Sequence, residues 1–225
     1  MSQSVIYHPC LDENGKLVVI VRPSESTNKE TWTDAKATAI LSRTDEHEIP
    51  ASLNGIAFNE HLQIDEDPWK WLERVPDFLP DEPDFVMPPG FRATSGCVVL
   101  EPDGRIWVVF PSNQYAGVEC TFPKGRLEPI LSLVQNAVKE TWEEAGLLVK
   151  PVAFLTDVTR TKFVTRFYIA KRIDGSPNLA GWESQAVGLM PADKLPDYIN
   201  RTNDRKVFEP LAKWLEENAD KLAQL

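Results

Sequence analysis

Histidine is scarce in this chain. His8, His47 and His61 are the only three in 225 residues, and none lies near the acidic run described below. A histidine-rich zinc centre and histidine-based catalysis are therefore poor fits. Cysteine is equally sparse: Cys10, Cys97 and Cys120 show no C-x-x-C spacing. An odd count without a signal sequence points to free thiols in a reducing, cytoplasmic setting. Cys97 and Cys120 sit in apolar strand-like runs and are expected to pack in a core. No apolar run approaches the roughly 18 residues of a membrane span, and Met1 to Val5 lack a basic n-region and an apolar h-region. Positive charge is also in deficit. Lys and Arg total 24 against 34 Asp and Glu, a formal net charge of −10, which argues against duplex nucleic acid as a partner. The deficit does not exclude phosphorylated small molecules, because a metal ion and a few local cations can invert the field inside a cleft.

What the chain does have is one highly structured stretch, Phe122 to Leu148. Pro123 and Gly125 break regular structure. Pro129 suits a first helical turn, where a missing N–H costs nothing, and Gly146 suits a left-handed helix stop. Between them Leu131, Val134, Val138, Trp142 and Ala145 recur at helical spacing as one apolar stripe. Glu140, Glu143 and Glu144 then fall on roughly the opposite side. A Glu-rich helical face is commonly just solvated surface. Here, however, a basic, glycine-bearing loop with Lys124 and Arg126 directly precedes it. Phosphate-binding groups would thus lie beside carboxylates, whose repulsion a hard cation relieves.

With those residues in place, the segment resembles the Nudix box, G-x5-E-x7-R-E-U-x-E-E-x-G-U, with U a bulky aliphatic. Gly125, Glu140, Glu143, Glu144, Gly146 and Leu147 match. Leu131 stands where the first Glu is expected, Lys139 where Arg is, and Thr141 where an aliphatic is. In the family that Glu and Arg tend to pair and brace the loop against the helix. Leu131 falls on the apolar stripe, so a hydrophobic contact is the expected replacement.

The resemblance implies an α/β fold, a Nudix-type α/β/α sandwich with a mixed β-sheet. It also implies a Mg2+- or Mn2+-dependent pyrophosphohydrolase acting on a phosphorylated small molecule. Expected metal ligands are Glu140, Glu143, Glu144 and the carbonyl of Gly125. Catalytic candidates are Glu143, Glu144 and Glu183, the last in a later loop where several family members carry an extra carboxylate and where an ordinary solvated acid is the competing reading. Lys124, Arg126, Arg105 and Arg166 are candidate substrate cations. A nucleoside diphosphate linked to another group, of the ADP-ribose or diadenosine polyphosphate type, is the leading substrate class. A diphosphoinositol polyphosphate is an alternative, and so is a non-catalytic nucleotide-diphosphate-binding module. Family members often pair, so a homodimer is allowed for.

The organisation reads as an accessory α+β region over 1–74, a proline-rich linker over 75–90 and the Nudix domain over 91–222. Five prolines and a glycine crowd the linker, which Phe78, Leu79, Phe85 and Val86 could pin to a surface. Within the first region, Val5 to Arg22 reads as a hairpin turning at Asn14-Gly15, Glu30 to Ser42 as helix, Asn54-Gly55 as a tight turn, and Pro68 to Arg74 as a short helix. In the second, strands are expected over Arg92–Leu100, Arg105–Phe110, Gly117–Phe122, Leu148–Asp157, Lys162–Arg172 and Gln185–Met190. Helices are expected over Ala192–Ile199 and from an Asp204 cap towards Leu222. Tyr115 and Trp182 are read as packing residues with a stacking alternative.

Overall fold

The computed structural model describes residues 5–64, 70, 73–114 and 117–222. Most of the expected 68–74 helix, and Tyr115, lie outside these. Strands β1 (Ile6–Leu11) and β2 (Leu17–Ile20) form the expected hairpin, with Gly15 at φ 72° in its turn. The Glu30–Ser42 helix is not there. Instead a short 3-10 turn, Lys29–Trp32, leads to strand β3 (Ala39–Ser42), whose four residues are all buried. Strand pairing outweighed a weak helical pattern. β4 (Ser52–Leu53) and β5 (Ile56–Ala57) close a tight hairpin on Asn54 and Gly55, both at positive φ.

The main sheet follows from β6 (Arg92–Leu100), β7 (Arg105–Pro111), β8 (Lys124–Arg126), β9 (Leu147–Thr159), β10 (Phe163–Gly175) and β11 (Ser184–Pro191). Its order is β3-β11-β7-β6-β10-β9, with β8 also paired to β6. β10 runs parallel to β6 and the other pairs are antiparallel, so the sheet is mixed, as expected. β6 and β7 pair only at Leu100 and Ile106 before parting. The chain after β7 fills the gap. Thr121 bridges Val109, and β8 pairs along Thr94–Gly96. The expected 117–122 strand is thus reduced to a single bridge, and the basic loop itself supplies the strand.

Helix α1 (Leu133–Ala145) packs one face of the sheet. It starts later than Pro129, at a capping box: Ser132 Oγ accepts from Gln135 N at 3.3 Å and Gln135 Oε1 accepts from Ser132 N at 3.0 Å. It stops at Gly146, φ 69°, where a Cβ would lie 2.3 Å from the Ser176 carbonyl. Val134, Val138, Trp142 and Ala145 meet Cys97, Val99, Trp107 and Tyr168 across this layer. The opposite face takes the C-terminal helices α2 (Leu195–Tyr198), α3 (Thr202–Arg205), α4 (Phe208–Glu217) and α5 (Ala219–Leu222). Leu195, Ile199, Val207 and Leu211 pack there on Val98, Leu100, Val108 and Phe167. Alternation along β6 thus feeds two cores and gives the α/β/α layering. The last helix is broken into three. Asp204 does not cap it but lies fully buried, paired with Arg160 and accepting from Thr121 Oγ1 at 3.2 Å.

The N-terminal residues belong to the same layers. Trp32, Leu53, Phe58, Val75 and Leu79 are part of the core under α1. Glu101 and Arg172, both fully buried, pair at 2.6 Å, and Glu101 also accepts from Trp107 Nε1 and Asn54 Nδ2 at 2.9 Å each. The 75–90 segment is pinned by Gln135, whose Nε2 donates to Val75 O at 3.0 Å and Asp77 Oδ1 at 2.9 Å, and by Glu82, which accepts from Tyr168 Oη at 2.6 Å. Leu79 is buried there, whereas Phe78 and Val86 stay exposed. No described helix is long and apolar enough to cross a membrane.

Candidate active site

The acidic face of α1 opens into a cleft of about 1170 Å³ whose lining includes Gly125, Glu140, Glu143, Glu144, Glu183, Lys124 and Arg126. Residues scattered over some 60 positions are brought together because β8 and α1 are adjacent and the 181–183 loop is tied to the helix. Gly181 N donates to Glu143 O at 2.7 Å, and Ser112 N donates to Glu183 O at 2.7 Å.

Gly125 is demanded by close approach. A Cβ there would meet Glu140 Oε2 at 1.9 Å and Oε1 at 2.2 Å, so the carboxylate lies directly against the loop backbone. Glu144 is held too, its Oε2 accepting from Lys124 N at 2.8 Å. Burial, then Glu144 and Glu143, push the Glu140 carboxyl up to about 9. Burial also pushes Glu144 up to about 8, against the lowering effect of Lys124. Glu183 is raised by burial and by Glu143 and Glu13. It is exposed on the cleft side, so water moderates its shift most.

Protonation is one way to relieve such crowding and a bound cation is another. The donors here are all oxygens, the set a hard divalent ion takes, so the residues fit Mg2+ or Mn2+. Among the described residues, no three His, Cys, Asp or Glu side chains already form a metal cage. Mg2+ in general keeps several waters and needs only one or two protein carboxylates.

Sequence reasoning missed the brace. Lys139, 7% exposed at its side chain, bonds Glu128 Oε1 at 2.9 Å and Glu143 Oε1. Both carboxylates raise its pKa against the opposing effect of burial. Glu128 is itself placed by Asn136, whose Oδ1 accepts from Glu128 N at 3.0 Å. The ionic link between loop and helix is thus kept, with its acid three residues earlier than the box pattern has it. Leu131 meanwhile joins the core, as expected. The signal was available: Glu128 is the sole acid between Gly125 and Glu140.

Two expected substrate cations are corrected. Arg105 is 1% exposed and spends its guanidinium on Asp103 and on the carbonyls of Thr31 and Trp32. Arg166, also 1% exposed, pairs with Asp157 and Glu82 at 2.7 Å each. Neither lines the cleft, because both are consumed as buried tie-points. Lys124 and Arg126 do line it. Lys124 Nζ donates to Thr121 Oγ1 at 2.6 Å, and Arg126 is exposed, 6.0 Å from the Phe163 ring centroid. Trp182 also borders the cleft, as do Cys10, Leu11, Asp12 and Glu13 of the first hairpin and Arg43 at the end of β3, which the sequence had not suggested.

Comparison with known proteins agrees with this architecture. The family model described as NUDIX domain matches residues 90–214. A NUDIX hydrolase from Nitrosomonas europaea superposes with a TM-score of 0.50 at 15% identity, over 55% of this chain and 90% of that one, a likeness of fold. Another NUDIX hydrolase structure from the same organism gives 0.48 at 25% identity, over 60% and 76%. An ADP-ribose pyrophosphatase from Streptococcus suis gives 0.46 at 20%, over 56% and 91%. Among curated protein sequences, none matches.

Proposed function

The chain belongs to the Nudix family of hydrolases, and from that premise we propose that it is a divalent-metal-dependent pyrophosphohydrolase acting on a nucleoside diphosphate linked to a further group. The observation that supports this most directly is the convergence of Gly125, Glu140, Glu144, Glu183, Lys124 and Arg126 on one cleft. Glu140 and Glu144, with the Gly125 carbonyl, would hold Mg2+ or Mn2+. Bound there, the ion would neutralise phosphoryl charge and acidify water. Glu143 is paired with Lys139 and lies within electrostatic reach of the other three acids, so it serves as a further ligand or orienting group.

Glu183 is our choice of general base. A carboxylate with a raised pKa takes a proton from water more readily near neutrality, and Glu183 stays open to solvent in the cleft. Lys124 and Arg126 would hold the phosphate oxygens and steer an anionic substrate into a chain of net charge −10. Three free thiols suit a cytoplasmic setting. The test is a phosphate-release screen over nucleoside and inositol diphosphates with and without Mg2+. The expected result is metal-dependent turnover of at least one linked nucleoside diphosphate. Binding without turnover of any of them would overturn the proposal.

A further inference from the structure

Arg43 stands outside the stretch matched by the family model, immediately after β3, the strand that the N-terminal region adds to the sheet edge. It lines the same cleft as the acids of α1. Its backbone N–H is spent on Gln185 O at 2.8 Å, which anchors it. Its guanidinium is poorly satisfied. Nη1 donates to the Asn178 carbonyl, Nη2 reaches only the Cys10 sulfur at 3.9 Å, and Nε is buried with no hydrogen-bond partner.

Among the described residues, no carboxylate forms an ion pair with Arg43 within 4.0 Å. Arg105, Arg166 and Arg172 are paired, and Asp12, which lines the same cleft, is committed to its own turn through Asn14 N and Lys16 N. A partly buried guanidinium without a counterion is costly, and Nη2, held only by the weak Cys10 sulfur contact, is the donor best placed to take a phosphate oxygen.

Resting on the hydrolase reading above, we propose that Arg43 binds an additional phosphate of the substrate, beyond the diphosphate that is cleaved. The preferred substrates are then polyphosphate-bearing, such as dinucleoside polyphosphates, rather than diphosphates whose second arm is a neutral sugar. In a cleft that already offers Lys124 and Arg126 at the loop, Arg43 is a cation contributed by the N-terminal part of the chain.

The experiment compares wild type, Arg43→Lys and Arg43→Gln, with thermal melting as the folding control. Kinetics with Mg2+ use diadenosine tetraphosphate and ADP-ribose. For Arg43→Gln, KM for the tetraphosphate is expected to rise at least about tenfold, as loss of a charge-assisted bond implies. Its kcat should move far less, the KM for ADP-ribose should rise much less, and Arg43→Lys should recover part of the loss. An equal rise in KM for both compounds, or none for either, overturns the assignment. Calorimetry with inorganic tripolyphosphate and pyrophosphate separates this from the hydrolase reading. Wild type should bind tripolyphosphate more tightly, and Arg43→Gln should lose that margin. If neither nucleotide is hydrolysed but the margin exists and depends on Arg43, the hydrolase reading fails and the phosphate site stands. If the margin is absent, or survives in Arg43→Gln, the phosphate site is refuted.

Discussion

The Glu140 carboxylate rests on the bare Cα of Gly125, where a methyl group would come within 1.9 Å of Oε2. The loop backbone and the helix acid are therefore in direct contact, and a side chain at 125 would part them. Gly125→Ala should push Glu140 off the loop. Mn2+ affinity is expected to fall about 10- to 100-fold, the usual cost of disturbing the support of a metal ligand. Titration calorimetry reads this, and unchanged affinity would separate Gly125 from the metal site.

Glu144→Gln keeps an oxygen to accept from Lys124 N but removes the charge. Turnover should drop at least about a hundredfold with melting temperature retained, since metal-held charge stabilisation is worth several kcal/mol. Normal turnover in a folded Glu144→Gln protein would remove this residue from the chemistry.

Glu128→Ala should leave Lys139 buried with only Glu143 as partner. We expect kcat to fall about tenfold, in line with the loss of an orienting contact behind a ligand. Moving the acid back to its usual place with Leu131→Glu should not rescue it, because Leu131 is core. Rescue by that double change would show that an acid at either loop position can complete the brace and that Leu131 is not needed in the core.

The pH dependence of the metal-free protein follows from Glu140 and Glu144, whose carboxyls burial and neighbouring acids push up in the folded chain to about 9 and about 8, from the 4.5 of a free glutamate side chain. For an acid raised in this way, the folded chain holds protons that the unfolded chain has released. Stability is then full below about 4.5 and is lost as pH rises through the window to 8–9. Metal-free melting temperature should therefore fall from pH 5 to pH 9. Mg2+ should restore it, and more strongly at the alkaline end, because the ion competes with those protons. A flat metal-free profile in differential scanning fluorimetry would contradict the crowding of these two acids.

Glu101→Gln tests the buried tie between the N-terminal hairpin and the sheet. It strands Arg172 without its counter-charge and leaves one amide oxygen to serve three donors, with the new NH2 set against at least one of them. The expected cost is about 3–5 kcal/mol in urea unfolding, typical of breaking a buried ion pair. A loss below about 1 kcal/mol would show that water replaces the pair, as it does for exposed ion pairs.

The acidic face of α1, its Gly146 stop, the apolar stripe and most strands were legible in the sequence, because each rests on spacing within a dozen neighbouring residues. Local patterning also singled out Lys124 and Arg126, the family resemblance pointed to Glu183, and the cleft gathers all three. It misjudged Glu30–Ser42 because β3 exists only through its pairing with β11. Arg105 and Arg166 were misplaced for a similar reason. A cation on a strand looks the same in sequence whether it faces a cleft or is neutralised by acids brought in from elsewhere, as Glu82 is for Arg166. The chain by itself thus determined which short segments line the cleft. Only the tertiary structure decided which charges are spent on each other and which, like Arg43, stand without a counter-charge among the described residues, since electrostatic pairing depends on distances in space that separation along the chain does not report.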